Sequence, residues 1–136
     1  MKPYTVAVRT LCEFAARQGD LDLRFTPSPT SQQGIAGHTT VRAGRNGSYR
    51  SEVAVSGEYR HLLVRGRADG FDPQRRRVEE VKTCVGEIAP IPPNHRHLHW
   101  AQAKVYGGLL CRQFGLSEIE VAVVYFDIRS QRELPA

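Results

Sequence analysis

The stretch Gly66–Lys82, GRADGFDPQRRRVEEVK, decides how this chain folds. It reads as a β-hairpin. Leu62–Asp69 is one strand, Asp72-Pro73-Gln74-Arg75 the turn, and Arg77–Thr83 the return. Proline presets φ at the second turn position, and aspartate suits the first. Side chains two apart on a strand share a face, so Glu80 and Lys82 project together. Asp69 arrives on the neighbouring strand. The hairpin therefore predicts two carboxylates and an ammonium gathered at one spot. Two carboxylates there repel unless a divalent cation sits between them.

Working towards the N-terminus, Tyr49–Val55 alternates with Val53 and Val55 inward, which predicts a strand. Ser56–Arg60 turns it into the hairpin and completes a three-stranded meander. Thr30 with Gln33 three residues on is a capping box, and the spacing predicts a helix over about Ser31–Ala43. Gly34 and Gly37 weaken that helix by about 1 kcal/mol each against alanine, or else permit close packing. Gly44-Arg-Asn-Gly47 ends it. An earlier helix is expected over Val8–Gln18, stopped by Gly19, with residues 1–6 as a short lead and 20–29 as a loop.

Towards the C-terminus, Pro90, Pro92 and Pro93 stiffen a loop. Asn94 is the expected cap of a long helix to about Phe114, closed by Gly115. Ile119–Ile128 is β-branched and apolar, as a buried strand would be. Residues 129–136 read as a frayed tail. The predicted order is α-α-β-β-β-α-β. A helix between the third and fourth strands implies a crossover and a mixed sheet. The expectation is a single α/β domain over residues 1–136: helices in 1–47, a core in 48–128, and the tail.

Composition narrows the function classes. The chain has 136 residues and 40% hydrophobic content, enough for a real core. Its net charge is +5, carried by 16 Arg against three Lys. Arginine forks match phosphate geometry, which favours nucleic acid as a partner without requiring it. Cys12, Cys84 and Cys111 are far apart, and no CxxC pair exists. Three thiols exclude four-thiolate zinc or an iron–sulfur cluster within the chain and suit a reduced cytoplasmic protein. No signal-peptide core or membrane-length apolar run is present, so no membrane is expected.

Asp69 and, eleven positions on, Glu80-Val81-Lys82 give the pattern D…E-x-K. Carboxylate oxygens suit Mg²⁺ or Mn²⁺, and the Val81 carbonyl is a further candidate ligand. An ammonium such as Lys82 can stabilise charge developing on phosphorus. On its own the pattern is common, and a solvated hairpin with a Glu–Lys pair reproduces it.

The surroundings add to it. GRADGFD (Gly66–Asp72) and EEVKT (Glu79–Thr83) resemble the two acidic motifs of the PD-(D/E)XK nuclease superfamily, RecB-like branch. QAKVY (Gln102–Tyr106) resembles that branch's QxxxY motif, and GIAGH (Gly34–His38) its upstream helix. HWAQAKVYGGLL (His99–Leu110) is similar to nuclease modules attached to DinG/XPD-type helicases. No Walker motif is present, so this would be a detached module or a truncated piece of a longer protein. Ala68 stands where the first motif often has proline.

The resemblance implies a restriction-endonuclease-like α-βββ-α-β core and a metal-dependent deoxyribonuclease giving 5′-phosphate products in DNA repair or processing. It implies Asp69, Glu80, Val81 and His38 around one or two ions. Lys82, Gln102 and Tyr106 join them as catalytic residues, Gln102 also contacting DNA, and a helicase is the implied partner.

Plain structural readings stand beside these. His38 alone would be a surface histidine. Gln102 and Tyr106, four apart, would be rim and core of one helix face. His95, His97 and His99 have the wrong angular spacing for a shared ligand set and suit capping or phosphate contact. Trp100 reads as packing and Glu79 as structural. Glu87 could reach the site from its loop. Arg75, Arg76 and Arg77 read as a solvated run near the site that could touch the DNA backbone. The competing function is a non-catalytic DNA-binding module of a helicase.

Overall fold

The computed structural model describes residues 4–15 and 30–134. The elements are β1 (Tyr4–Ala7), α1 (Val8–Ala15), α2 (Ser31–Ala43), β2 (Arg50–Tyr59), β3 (Leu62–Asp72) and β4 (Arg77–Cys84). α3 (Pro93–Phe114), β5 (Glu120–Asp127) and β6 (Arg132–Leu134) follow. Six strands make one mixed sheet flanked by three helices. The expected α-βββ-α-β succession is present as α2-β2-β3-β4-α3-β5. The meander is antiparallel, and β4 pairs in parallel with β5 through the α3 crossover.

The hairpin register follows from burial. Phe71 pairs with Val78, and both are fully buried against α1 and α3. Burying each stabilises by about 1.5–3 kcal/mol. A slip of one residue would turn Val78 outward. The Asp72 carboxylate fixes the turn by accepting from the Gln74 and Arg75 amides and the Ser48 hydroxyl.

α2 begins where its capping box places it. Thr30 Oγ1 accepts from the Gln33 amide at 3.1 Å, and Gln33 Oε1 accepts from the Thr30 amide at 2.8 Å. Gly37 permits close packing, because a Cβ there would overlap the Thr83 methyl on β4. α2 thus seats Val41 on Val81, Val124 and Phe126.

Five boundaries differ from expectation. The N-terminal lead contains β1, which pairs with Leu62–Arg65 in parallel; four residues are too few for an alternation signal. The segment 56–60 continues β2 to Tyr59, and Arg60 makes the turn with φ 54°. β3 runs on to Asp72, not Asp69. α3 starts at Pro93 with Pro92 as its cap, without a side-chain hydrogen bond, so Asn94 lies inside the helix. Proline fits this first turn because its missing amide hydrogen would go unused there. The tail contains β6, which pairs with β5. Gly115 does end α3, in the left-handed conformation. The expected end of the first helix at Gln18–Gly19 and the loop 20–29 lie outside the described residues.

Glu79 faces away from Glu80 and is structural, as expected. Its buried carboxylate takes Arg45 at 3.0 Å and Arg77 at 3.0 Å. Arg45 also reaches Glu133 on β6, and Arg77 pairs with Glu120 on β5.

Candidate active site

A gap in the sheet positions the candidate residues. β2 pairs with β3 along one edge, from Leu62 to Phe71. β1 and β4 must therefore share the other edge. β1 holds Leu62–Arg65, and β4 pairs with β3 only at Gly70–Asp72. Between them Gly66–Asp69 has no ladder on that edge, and neither does β4 beyond Glu79. Asp69 fills the first step of this gap. Its Oδ2 accepts the Val81 amide at 2.7 Å, where a backbone carbonyl would stand in a continuous sheet. A strand residue's amide and carbonyl leave on one edge, so the Val81 carbonyl faces the gap as well.

Strict alternation also breaks here. Ala68 and Phe71 are three apart, yet both enter the core on the α1/α3 face. Glu52, which falls opposite Asp69 on β2, has a left-handed backbone with φ 51°. Asp69 consequently opens towards α2, in a pocket of about 450 Å³ shared with His38, Arg42, Tyr49 and Glu52. His38 Nδ1 stands 3.7 Å from Asp69 Oδ1.

Glu80 and Lys82 leave β4 on the opposite face. Lys82 Nζ is 3.2 Å from Glu80 Oε1. Glu80 Oε2 is buried and has no hydrogen bond to any described residue. Burial raises the Glu80 carboxyl to about 7, and the nearby Asp69 charge pushes the same way against the pull of Lys82. Burial also raises Asp69, opposed by the Val81 amide, His38 and Lys82. The two carboxylates therefore sense each other through the gap.

The hairpin does gather two carboxylates and an ammonium, but from two faces of the sheet and not one. Among the described residues no three His, Cys, Asp or Glu side chains stand as a ready ligand set. Asp69 and His38 approach from one side, and one Glu80 oxygen is held by Lys82.

Gln102 and Tyr106 share the buried face of α3, beside the gap. Tyr106 packs on Gly66, where an added Cβ would lie 2.9 Å from its ring. Burial, then the Glu80 and Asp69 charges, raises its phenol to about 12. Gln102 Oε1 is buried without a hydrogen bond to any described residue, and it lines a cavity of about 290 Å³ with Lys82, His95 and His99. Burial, with Lys82 and His95 nearby, lowers His99 to about 3, so it is neutral. Its Nδ1 lies 2.9 Å from the Tyr125 hydroxyl.

The remaining candidates fall elsewhere. His95 is buried and His97 exposed, so the three histidines make no joint ligand set. Trp100 packs beside Cys84, Ile91 and Tyr125. Glu87 is exposed. Arg77 is committed to two carboxylates, and Arg75 and Arg76 are exposed at the hairpin tip. The tip lies about 10 Å along the strands from Asp69. Cys12, Cys84 and Cys111 are free thiols. Arg42, Tyr49 and Glu52 were not anticipated; nothing local in their sequence marks them, and the kink and α2 packing bring them in.

No family model matches the chain, and no curated protein matches it. It is similar in fold to SSO0001. That crystal structure aligns with a TM-score of 0.63 at 19% identity, over 98% of this chain and 67% of that one. At this identity the likeness is one of architecture. No described helix is long and apolar enough to cross a membrane.

Proposed function

We propose that the chain is a metal-dependent deoxyribonuclease of the RecB-like PD-(D/E)XK type, hydrolysing DNA phosphodiester bonds to 5′-phosphate products. One observation carries the reading: the buried Glu80 carboxylate and the half-buried Asp69 carboxylate meet in a gap of the sheet, with Glu80 Oε2 unpartnered among the described residues. Like charges so placed ionise together only when a cation is shared. Hard oxygen donors fit Mg²⁺ or Mn²⁺. Asp69, Glu80 and the Val81 carbonyl would hold the ion, with His38 at the α2 side. When bound, it supplies Lewis acidity at the phosphodiester.

The chain's own residues do the rest. Lys82 exchanges its Glu80 contact for a phosphate oxygen and neutralises charge that develops there. Gln102 and Tyr106 hold the groups around the gap in place from α3. Work alongside a helicase in DNA repair, and a cytoplasmic location, belong to the same proposal and rest on the motif resemblance.

Purified protein with Mn²⁺ should cut DNA; Glu80→Ala should abolish cutting and Lys82→Ala should slow it by about 10²–10³, neither unfolding the chain. Cutting that persists in EDTA, or survives Glu80→Ala, contradicts the assignment.

The Lys82–Glu80 ion pair, which already engages one carboxylate oxygen, favours a second reading, a DNA-gripping module without catalysis. Calorimetric titration separates the two. Both readings allow DNA binding without divalent ions, but only the nuclease takes up stoichiometric Mn²⁺ that Asp69→Ala removes.

A further inference from the structure

α2 covers only the β4–β5 half of its face of the sheet. On the same face of β1, β3 and β2, the side chains of Thr5, Ala7, Ala54, Ser56, Arg65 and Arg67 are exposed and line a groove of about 920 Å³. Arg65 and Arg67 alternate with the buried Val64 and Ala68, so they stand in a row with Asp69 along β3. Successive members of such a row are about 7 Å apart. Register places Ala7 and Ser56 beside Arg65, and Ala54 beside Arg67. These small neighbours leave both guanidiniums clear, and neither has a carboxylate partner among the described residues. Past Asp69 the line continues to His38 and then to Arg42, one helical turn further on α2.

We infer that Arg65 and Arg67 grip successive phosphates of a single DNA strand and lay it along β3 towards Asp69. This rests on the nuclease reading for the identity of the ligand. The cations form one row, and the row beside it on β2 has exposed Glu52 and Glu58 at its ends. A duplex presents two phosphate rows, and the neighbouring β2 row, Glu52, Ala54, Ser56 and Glu58, supplies no cation for a second one. One row of arginines matches the phosphates of one strand. Arginine forks bind phosphate oxygens in pairs, which fixes the strand's register over the gap.

Fluorescence anisotropy with a labelled oligothymidine strand in EDTA reads the row without any cleavage. Wild-type protein should bind, with affinity falling as salt rises. Arg65→Ala/Arg67→Ala should weaken binding about tenfold or more and flatten the log–log salt slope by about 1.4, at about 0.7 per single-strand phosphate. Arg65→Lys/Arg67→Lys should keep the slope. Arg129→Ala/Arg132→Ala, equal in charge but distant on the β5–β6 turn and β6, should also keep it. An unchanged slope in the alanine pair overturns the inference. So does a duplex of the same length that binds as tightly and loses as much slope. Slope loss without Mn²⁺-dependent cutting by the wild type would retire the nuclease reading and leave the strand row standing. Cutting without slope loss would do the reverse.

Discussion

Asp69 Oδ2 accepts the Val81 amide hydrogen at 2.7 Å, so a side chain stands where the β3–β4 ladder should continue. That bond spans the opening through which Asp69 and Glu80 interact. Several consequences can be measured.

Glu80 makes stability depend on pH. Its carboxyl is raised from 4.5 to about 7 in the folded chain, so the native state binds the extra proton between those values. Stability without divalent ions is therefore greater near pH 4.5 and declines as pH rises through about 7. The effect is on the order of a few kcal/mol at most, since the shift is shared with Asp69. Urea titrations across this range should show the decline for wild type and a flatter profile for Glu80→Gln. An identical profile in the variant would move the source elsewhere.

Divalent ions should reverse that cost. With Mn²⁺ at about 100 times its dissociation constant, the gain is about 2.7 kcal/mol. Thermal melts at neutral pH should rise on adding Mn²⁺ for wild type and stay put for Asp69→Asn. Equal rises in both would place the ion away from the gap.

Lys82→Ala should lower the cleavage rate by about 10²–10³, the range for loss of one preorganised charge donor. Its head group is 3.2 Å from Glu80, so the same change should raise the Glu80 pKa further. A downward shift in the pH–stability profile of this variant would contradict that electrostatic link.

Gly37→Val should destabilise by about 1–3 kcal/mol, because overpacking forces α2 off the sheet. The obstruction is Thr83 and Phe126. Thr83→Ser, which removes the obstructing methyl, should recover part of the loss. Denaturation of the single and double variants measures the coupling.

Arg45→Ala should cost about 3–5 kcal/mol if Glu79 is left underpaired, and less to the extent that Arg77 compensates. Hydrogen exchange should show β6 loosening, since Arg45 also holds Glu133. Protection of β6 amides equal to wild type would mean the strand is held by its β5 ladder alone.

Much of the architecture was legible in residue order. The Asp72-Pro73 turn, the Thr30/Gln33 capping box, the Gly115 stop and the β-branched run into Asp127 are local signals, each set by neighbours a few positions away. They sufficed for the meander, α2, α3 and the parallel return of β5. β1 and β6 were missed because strands of four and three residues carry no usable periodicity and exist only by pairing with β3 and β5.

Sequence by itself determined which groups are available: an aspartate on one strand, and a glutamate and lysine two apart on the next. Only the tertiary structure decided how they meet. β1 and β4 occupy the same edge of β3 without touching end to end, and the opening between them admits Asp69 from the α2 face and Glu80 from the other. The row of Arg65 and Arg67 likewise became a surface only because α2 packs on β4 and β5 and reaches β3 at Asp69, beyond the two arginines. Such relations depend on contacts between residues far apart in the chain, and short-range patterning carries no record of them.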